Sequence, residues 1–554
     1  MQSGMRPLRF VVLSNGLRID EWQADCVRQI LAANVGTLVG VVVKAPAPAQ
    51  SVFEKWKGRW TDRRLLTWRL FNRLFVTPFS KATRASSLVL DDQVPVLYAK
   101  TLSAGRFAEK FDHDTIAKIQ ELEPDFILRF GFGILTGDIL SIARYGLWSY
   151  HHGDHHSYRG QPPGFWEIYN RESTAGAMLQ VLSEKLDAGR VLHKGQFSVT
   201  AHSYARTRDT LYFGASSFVA RACNDILLNG FPSIDPEAAN SLGKVYKQPT
   251  TPQVIRFAFT GLISRWKTFV NYRLRRQTWN CAAIPDSIAA VAGLEGKNRQ
   301  EKALGSAIWM TPGPGEFFAD PFGLKLESGL FRVFFERFDW RVGRGDIATS
   351  LFDGKKFGDV ATALNAPTHL SYPFVTKKEG GWVFVPEHSE ARDVSSFTFD
   401  EFGVIQSKCT ILGDTDLIDT TILYHDGRYW IFAIVDGHAQ NTHLHILYGD
   451  TLDGPWTAHP LNPVKSDVTS ARPAGTPFFH NGKLYRPAQD CSRIYGGAVT
   501  INEIVRITPT DYREIRRSVI KPVPEGAYID GLHTLSEMDG FTLIDGAKRE
   551  SKFL

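Results

Sequence analysis

The sequence predicts a multidomain protein in which an α/β domain with a Rossmann-type sheet precedes an all-β five-bladed propeller. The 554 residues exceed what one hydrophobic core usually organises, so we expect more than one domain. Early in the chain, short apolar runs alternate with helical patterns, which is typical of a wound α/β sheet. Beyond Trp309, a turn glycine followed by an aromatic-rich strand recurs five times. We predict domains at residues 1–247 and 306–554, joined by a connector at 248–305.

The α/β domain is predicted from a series of buried strands and an early helix that follows Asp20. Continuous apolar runs such as FVVL at 10–13 and LVGVVV at 38–43 indicate strands that are buried on both faces. The predicted strands are residues 10–13, 38–43, 94–98, 125–130 and 146–150. Open α/β sheets bind ligands beyond the carboxyl ends of their strands, so we expect a site after the last of these.

The connector is predicted to contain a basic amphipathic helix. Residues 254–279 place apolar side chains at near-helical spacing, with arginines between them. Residues 254–276 carry six basic residues and no acidic one, and residues 54–75 carry seven basic and two acidic ones, in a chain of net charge +6. We favour packing of these aromatic residues against their domain, and peripheral contact with an anionic membrane stays open. No nucleic-acid-binding motif accompanies the charge, so we expect no nucleic-acid partner.

The repeats of the all-β domain predict five blades of four strands each. Their turn glycines are separated by 52, 46, 55 and 58 residues. The glycines are Gly329, Gly381, Gly427, Gly482 and Gly540. A strand start with polar residues, such as ADPF at 319–322, precedes each glycine. We expect these polar residues to converge on the propeller axis, where buried charges must be paired or used.

Composition indicates a folded protein of a reducing compartment. Hydrophobic residues make up 43% of the chain and charged residues 22%, which excludes a largely disordered or fibrous protein. The five cysteines are scattered without metal-pair spacing, and residues 1–30 show no secretory signal. No apolar run approaches the roughly 20 residues of a membrane helix. We therefore expect a cytoplasmic protein.

Several motifs of the first domain occur in an order that resembles the formyltransferase superfamily. They are FVVLSNG near the start, DFILRFGFGIL at 125–135, the loop from His151 to Gly160, STAGAMLQ at 173–180 and LDAGRVLHKGQF at 186–197. The resemblance covers residues 8–247, and the superfamily includes methionyl-tRNA, glycinamide ribonucleotide and sugar N-formyltransferases. It implies transfer of a formyl group to an amine, with N10-formyltetrahydrofolate as the donor.

The resemblance also implies the catalytic residues. It places His151 on the family's histidine, Asp187 on its aspartate and Ser149 on its asparagine. An imidazole oriented by a carboxylate can donate a hydrogen bond to the oxyanion that develops when an amine attacks a formyl carbonyl. The loop after His151 reads HGDHH where the family has PSLLP, so an altered donor or a lost activity stays open. A metal bound by the histidine run is an alternative, but adjacent side chains point apart, and we expect no metal.

The second domain carries ADPF at Asp320, SYPF with VPE ending at Glu387, DTTILYHDGRYWIF from Asp419 and RPAGTPFF from Arg472. These motifs resemble the propellers of arabinofuranosidases and xylosidases, and more closely the propeller-like domain of glucosamine inositolphosphorylceramide transferases. The resemblance puts Asp320 and Asp419 on two axial carboxylates of the glycosidases, and an arginine stands in the region of the third. The predicted axial site consists of Asp320, Glu387, Asp419, Arg472, Asp490 and His533.

These features together predict an enzyme that formylates the amine of a small molecule, an amino sugar or sugar nucleotide. The propeller is predicted to bind or process the related glycan, and binding is favoured over hydrolysis because an axial arginine suits an anionic sugar. The alternative is a glycan-binding or glycoside-hydrolysing protein whose formyltransferase-like domain no longer transfers.

Overall fold

A computed structural model describes residues 6–45, 65–88, 93–104, 108–184, 189–231, 243–378, 381–435, 437 and 441–552. Its contacts divide the chain into two compact units, Met1–Lys267 and Thr268–Leu554. The division falls inside the predicted connector, and the domain boundaries at 247 and 305 stay predictions.

The first unit alternates strands and helices. Its strands are β1 (Leu8–Ser14), β2 (Arg18–Asp20), β3 (Gly36–Lys44), β4 (Ala85–Ser87), β5 (Val96–Ala99), β6 (Thr101–Ser103), β7 (Ala108–Phe111), β8 (Phe126–Arg129), β9 (Ile134–Leu135), β10 (Leu147–His151), β11 (Arg159–Gly160), β12 (Thr174–Val181), β13 (Arg190–Ser198) and β14 (Val245–Tyr246). Its helices are α1 (Glu21–Ala32), α2 (Leu66–Phe75), α3 (His113–Glu121), α4 (Phe165–Tyr169), α5 (Tyr204–Ala215), α6 (Phe218–Asn229) and α7 (Thr251–Leu274), which continues into the second unit.

The central sheet of the first unit has the order β13-β12-β10-β8-β1-β3-β5. Strands β10, β8, β1, β3 and β5 are parallel, and β12 and β13 are antiparallel to them. Alternate residues of β1 face opposite sides: Phe10 and Val12 join one buried cluster, whereas Val11 and Leu13 join another. The predicted α/β sheet is confirmed, and its parallel strands end at Ser14, Arg129 and His151 on one edge.

The second unit is mostly strands. They are β15 (Arg275–Ile284), β16 (Ile308–Trp309), β17 (Glu316–Lys325), β18 (Phe331–Asp339), β19 (Arg344–Phe352), β20 (Ala361–Leu364), β21 (Ser371–Lys378), β22 (Gly381–Glu387), β23 (Asp393–Phe399), β24 (Ile405–Gly413), β25 (Leu417–His425), β26 (Arg428–Val435), β27 (His443–Gly449), β28 (Thr457–Ala458), β29 (Lys465–Ser466), β30 (Phe478–His480), β31 (Lys483–Asp490), β32 (Ala498–Thr508), β33 (Asp511–Ile520), β34 (Leu535–Met538) and β35 (Phe541–Ser551). Two short helices, α8 (Ile288–Val291) and α9 (Lys297–Gly305), lie between β15 and β16.

Within the described residues, these strands form five antiparallel sheets. Four have the orders β17-β18-β19-β20, β21-β22-β23-β24, β25-β26-β27-β28 with β29 beside β27, and β30-β31-β32-β33. The fifth, β16-β15-β35-β34, joins two strands from the start of the unit to two from its end. Gly329, Gly427 and Gly482 lie at the turn between the first two strands of a sheet, Gly540 lies at the turn between β34 and β35, and Gly381 begins β22. All five have a positive φ. The sheets confirm an α/β plus all-β architecture, and a closed five-bladed propeller stays a prediction.

The helix predicted over residues 254–279 ends earlier than its apolar spacing indicates. Helix α7 stops at Leu274, and β15 begins at Arg275. Strand β15 pairs with β35 from Arg275↔Ser551 to Ile284↔Thr542. This long-range pairing overrides the helical spacing, because it satisfies the backbone groups of β15 and buries its residues from Thr278 onward. Among the described helices, none combines the length and the apolarity needed to cross a membrane.

Candidate functional site

Two of the residues predicted to be catalytic in the first unit lie at the end of β10. Ser149 is buried and lies opposite Arg129 of β8 in the parallel register. Arg129 Nη1 donates a hydrogen bond of 3.0 Å to Ser149 Oγ, and its Nη2 donates to the Gly133 carbonyl at 2.6 Å. The serine oxygen therefore accepts from a guanidinium, and its own O–H lies 3.5 Å from the Tyr150 carbonyl. A polar cluster with N–H and O–H donors thus marks this end of the sheet.

His151 follows at the carboxyl end of the same strand. Its Nε2 lies 3.4 Å from the Tyr158 carbonyl oxygen, which can only accept, so Nε2 carries the hydrogen when this contact is made. Gly153 allows the loop to fold this closely, because a Cβ at that position would lie 2.5 Å from the Tyr158 oxygen and 3.1 Å from His151 Nε2. The loop therefore holds the imidazole at the sheet edge with an N–H as donor.

The other histidines of the run have separate surroundings. His152 packs against Trp22 and Tyr212, with ring centroids 5.0 and 4.3 Å away, and burial lowers its pKa to about 3. His155 is buried, and burial lowers its pKa as well. In the described part of the chain, the run does not bring three metal-ligating groups together. His152 therefore packs against these aromatic rings as a neutral imidazole.

Asp187, the third predicted catalytic residue, lies outside the described residues. Its pairing with His151 stays a prediction. Sequence reasoning missed Arg129, although it stands in the DFILRFGFGIL motif at the end of a predicted strand.

Two of the predicted axial residues of the second unit, Asp320 and Asp419, lie on the first strands of their sheets. Glu387 and Asp490 end second strands, and Arg472 and His533 lie outside the strands. In β17, β21 and β25 the pairing register shifts at equivalent places, and Asp320, Tyr372 and Asp419 there have positive φ values of 51, 44 and 51°. Left-handed backbone is strained for these residue types, so the surroundings must hold it. The repeated bulge turns one polar side chain per strand into the interior.

Arg472 and Asp419 form a buried ion pair. Arg472 Nε donates to Asp419 Oδ2 at 2.6 Å, and its Nη2 donates to Oδ1 at 3.2 Å. Nη1 donates to Asn441 Oδ1 at 2.7 Å, and Gln489 Nε2 donates to Asp419 Oδ2 at 2.9 Å. Burial lowers the pKa of the guanidinium, but Asp419 more than compensates and raises it well above its ordinary value. The arginine charge is therefore neutralised within the protein.

A second cluster surrounds His533. Its Nδ1 lies 2.5 Å from Asp545 Oδ2 and 3.7 Å from Asp320 Oδ1, and Thr534 Oγ1 donates to Asp320 Oδ1 at 2.7 Å. Burial alone would lower the pKa of His533, but the carboxylates of Asp545 and Asp320 raise it. The ring of Trp279 stacks on the imidazole at 3.8 Å. These contacts stabilise an imidazolium between two aspartates.

Asp320, His533 and Asp545 also form a set of potential metal ligands. One ligand atom of each lies within 4.8 Å of the others. The close His533–Asp545 contact already engages the nitrogen that faces the two carboxylates. The prediction that the site holds no metal is not tested by this geometry.

Glu387 lies beside Asp419, and its surroundings favour the protonated form of its carboxyl group. Its Oε2 accepts from the Asp419 backbone N–H at 3.2 Å, and its Oε1 accepts from Ser389 Oγ at 2.9 Å. Burial is the largest cause that raises the pKa of Glu387, and the adjacent Asp419 carboxylate raises it further. The resulting pKa is about 8. Burial also raises the pKa of Asp320 to about 6 and that of Glu336 well above its ordinary value. A protonated Glu387 could donate a proton, which is the chemical role of a general acid.

Asp490 is the one predicted axial residue whose described contacts lie apart from this network. Its side chain accepts from the Ser492 backbone N–H at 3.0 Å and so caps a turn. Its neighbour Gln489 makes the contact with Asp419 instead. Sequence reasoning missed Gln489, Glu336 and Asp545. The repeat contained a signal for them, because all three stand five to seven residues after a repeat glycine, within the strand that follows it.

Tyr495 joins the two clusters of the second unit. Arg472 Nη2 donates to its hydroxyl at 3.3 Å, and its ring lies edge-on to His533 at 5.4 Å. Tyr495 is 41% exposed, whereas the charged groups around it are buried. The ring of Tyr495 therefore forms the solvent-exposed surface of these two clusters.

Two family models match separate segments of the chain. Residues 72–212 match the model described as formyl transferase. Residues 306–525 match the model described as glucosamine inositolphosphorylceramide transferase 1, N-terminal. Each unit thus matches a different family. These matches confirm the resemblances to formyltransferases and to the inositolphosphorylceramide transferase domain that the motifs predict.

Curated relatives match one unit or the other. Glucosamine inositolphosphorylceramide transferase 1 of Oryza sativa subsp. japonica is 35% identical over 209 residues, which cover 36% of this chain and 28% of the relative. The Arabidopsis thaliana protein of that name is 31% identical, with 36% and 27% covered. Methionyl-tRNA formyltransferase of Clostridium beijerinckii is 38% identical over 92 residues, 16% of this chain and 30% of the relative. The chain thus spans less than a third of the length of each of these relatives.

Solved structures of glycoside hydrolase family 43 are similar to part of the chain. A β-1,3-galactosidase solved with galactodeoxynojirimycin has 11% identity and a TM-score of 0.30, and the match covers 37% of this chain and 77% of that one. An exo-β-1,3-galactanase from Clostridium thermocellum has 11% identity and a TM-score of 0.32, with 38% and 54% covered.

Proposed function

We propose that the first unit transfers a formyl group to the amine of an amino sugar or sugar nucleotide. The observation that carries the proposal is the polar cluster of Arg129, Ser149 and His151 at the carboxyl edge of the parallel sheet, inside the segment that matches formyl transferases. Ligands of open α/β sheets bind at this edge.

The donor groups of this cluster fit a formyl oxygen that gains negative charge. When the amine attacks, a carbon–nitrogen bond forms, and the N–H of His151 moves its hydrogen bond from the Tyr158 carbonyl to the developing oxyanion. The Ser149 hydroxyl, held through its oxygen by Arg129, supplies a second donor. The amine then loses a proton, for which Asp187 is the proposed acceptor. The bond between the formyl carbon and the donor nitrogen would break, and that nitrogen would leave with a proton. N10-formyltetrahydrofolate would supply the formyl group, and the sugar acceptor is proposed because glycan binding at the second unit gives both units one substrate class.

Incubation with N10-formyltetrahydrofolate and a panel of amino-sugar nucleotides tests this proposal. Mass spectrometry should find a product heavier by one formyl group. We expect His151→Ala and Asp187→Asn to lower the rate at least about 100-fold, because each removes a group that acts in the transition state. His156→Ala, an exposed histidine of the same loop, is the matched control and should keep the rate. Transfer that survives both site variants would refute the residue assignment.

We propose that the second unit binds a glycan at the face marked by Tyr495. The exposed ring beside a neutralised arginine supports sugar stacking, since aromatic faces pack against the C–H surface of sugar rings. The sequence predicts that Arg472 binds an anionic sugar. We expect that binding to be weak, because Arg472 already forms an ion pair with Asp419. Glycan binding without formyl transfer remains the second candidate, favoured by the serine in the family's asparagine position.

Glycan-array binding by Tyr495 variants tests the second proposal. Tyr495→Ala should weaken binding about tenfold or more, since stacking is lost while the buried ion pair stays. Tyr424→Ala is the matched control, because Tyr424 is 60% exposed near the end of β25. Arg472→Ala is a poor test, because it leaves Asp419 buried without its partner and destabilises the fold. Binding unchanged by Tyr495→Ala would place the glycan elsewhere.

A further inference from the structure

Helix α7 turns an apolar stripe to solvent. After Phe257 no residue of the helix is buried. Ile255, Phe259, Leu262 and Trp266 recur at helical spacing and are each 61–66% exposed. A continuous apolar stripe of this size on a folded unit marks an interaction surface.

Helix α2, which contacts α7, carries a second exposed apolar stripe. Leu66, Leu70 and Leu74 lie one turn apart and are 52–64% exposed. The first turns of the two helices contact each other, with Thr67 Oγ1 2.9 Å from Thr251 Oγ1. Further along, the rings of Phe71 and Phe257 lie 5.8 Å apart. Both helices are therefore anchored on one aromatic cluster and direct their opposite faces outward.

The charge of the two helices has one sign. From Thr251 to Lys267, α7 carries Arg256, Arg265 and Lys267 and no acidic residue, and α2 carries Arg69 and Arg73 and no acidic residue. Arg256 stacks on Tyr169 at 4.8 Å, and Arg265 Nε donates to the His202 carbonyl at 2.9 Å. Among the described residues, no carboxylate forms an ion pair with these two arginines. The positive charge of α7 therefore remains available to an anionic partner.

We propose that α2 and the part of α7 up to Lys267 bind the surface of an anionic lipid bilayer. Leucine, phenylalanine and tryptophan on one side with arginine and lysine beside them are the composition of helices that lie in the plane of a membrane interface. Each cation near an anionic leaflet adds electrostatic attraction to the lipid, and the apolar stripe contributes by burial among acyl chains. A second copy of this chain would bring the same positive charge against itself, which disfavours self-association through this face.

Vesicle sedimentation with the full chain tests the proposal. We expect binding to phosphatidylcholine vesicles that contain about 30 mol% phosphatidylglycerol, little binding to phosphatidylcholine alone, and loss of binding at about 0.5 M salt. Hydrogen exchange in α7 should slow when the anionic vesicles are added.

Two variants separate the apolar and the cationic contributions. Leu262→Glu with Trp266→Glu should lower vesicle partitioning at least about tenfold. The change replaces two apolar contacts with negative charges, which the anionic lipid headgroups repel. Arg265→Gln with Lys267→Gln should lower it about tenfold as well. All four side chains are exposed, so thermal unfolding should stay unchanged. Phe402→Glu, at an equally exposed phenylalanine in the second unit, is the matched control.

Three results would overturn the proposal. One is the absence of sedimentation with anionic vesicles, and another is binding that both helix variants retain. The third is a dimer in light scattering that Trp266→Glu converts to a monomer without any vesicle binding, which would assign the face to a second copy of the chain.

Discussion

Buried carboxyl groups of the second unit differ in protonation because their neighbours differ. Asp545 faces His533, which outweighs the effect of burial and lowers its pKa. Glu387 faces another carboxylate, so burial and repulsion both raise its pKa, to about 8. The pKa values of two carboxyl groups of similar burial are therefore shifted in opposite directions. Such divergence is common at functional sites.

Glu387→Gln should change the pH dependence of stability. The folded pKa of Glu387 is about 8 and its ordinary value 4.5, so the folded state keeps a proton that the unfolded state has lost between these values. Its stabilising contribution is complete below about pH 4.5 and is lost as pH rises to about 8. The free energy of unfolding of the wild-type protein should therefore decline between these pH values. In the variant this decline should be smaller by roughly 1–4 kcal/mol.

Urea unfolding at about pH 5 and about pH 8 measures this effect. Glu327→Gln, at an exposed glutamate, should leave the decline intact. Parallel pH profiles of Glu387→Gln and the wild-type protein would show that Glu387 titrates normally.

At the scale of elements, the fifth sheet of the second unit depends on pairing between distant segments. Strand β15 pairs with β35 along its whole length, more than 250 residues away in sequence. Asp545 of β35 and Trp279 of β15 both contact His533. The pairing therefore also assembles part of the axial network.

Truncation before Gly540 should unfold the second unit. It removes β35, so β15 keeps only its short pairing with β16 and His533 loses Asp545. The loss is comparable to the roughly 5–15 kcal/mol that typically stabilises a domain, since each unpaired backbone hydrogen bond costs about 0.5–1.5 kcal/mol along ten paired residues. Hydrogen exchange should become fast in β15, while β1 and β8 stay protected.

A chain that ends at Lys552 serves as the control for this truncation, because it keeps all of β35. Protected β15 amides in the shorter chain would mean that β35 is dispensable.

At the scale of the molecule, two sets of buried clusters stabilise two units. Trp148 is fully buried in a cluster of the first unit, and Phe334 is fully buried in a cluster of the second. Neither cluster mixes residues of the two units. Each unit therefore has a core of its own, as expected of separate domains.

Trp148→Ala and Phe334→Ala should each lower one thermal transition. Removing a fully buried aromatic side chain costs about 3–5 kcal/mol through lost transfer free energy and a cavity. Calorimetry should show two transitions, with Trp148→Ala lowering one and Phe334→Ala the other. Phe402→Ala, at an exposed phenylalanine, should move neither. A single transition that both core variants lower equally would show that the units unfold together.

Local patterns were sufficient for much of the site in the first unit. Apolar runs predict the parallel strands, and the strand end predicts where Ser149 and His151 lie. Arg129 shows what such patterns omit, because its contact with Ser149 crosses between two strands that are adjacent in the sheet and not in the sequence. Whether Asp187 reaches His151 stays a prediction.

By itself the sequence determined the α/β and all-β classes, the repeat glycines and the motifs of two families, because these depend on local periodicity and residue type. Only the tertiary structure decided that Arg472 is neutralised by Asp419, that Gln489 and not Asp490 contacts Asp419, and that residues 275–279 form a strand. These outcomes depend on pairing register and on charges brought together from distant segments. A one-residue step along a strand reverses the side to which a side chain points, and local sequence does not encode a partner more than 250 residues away.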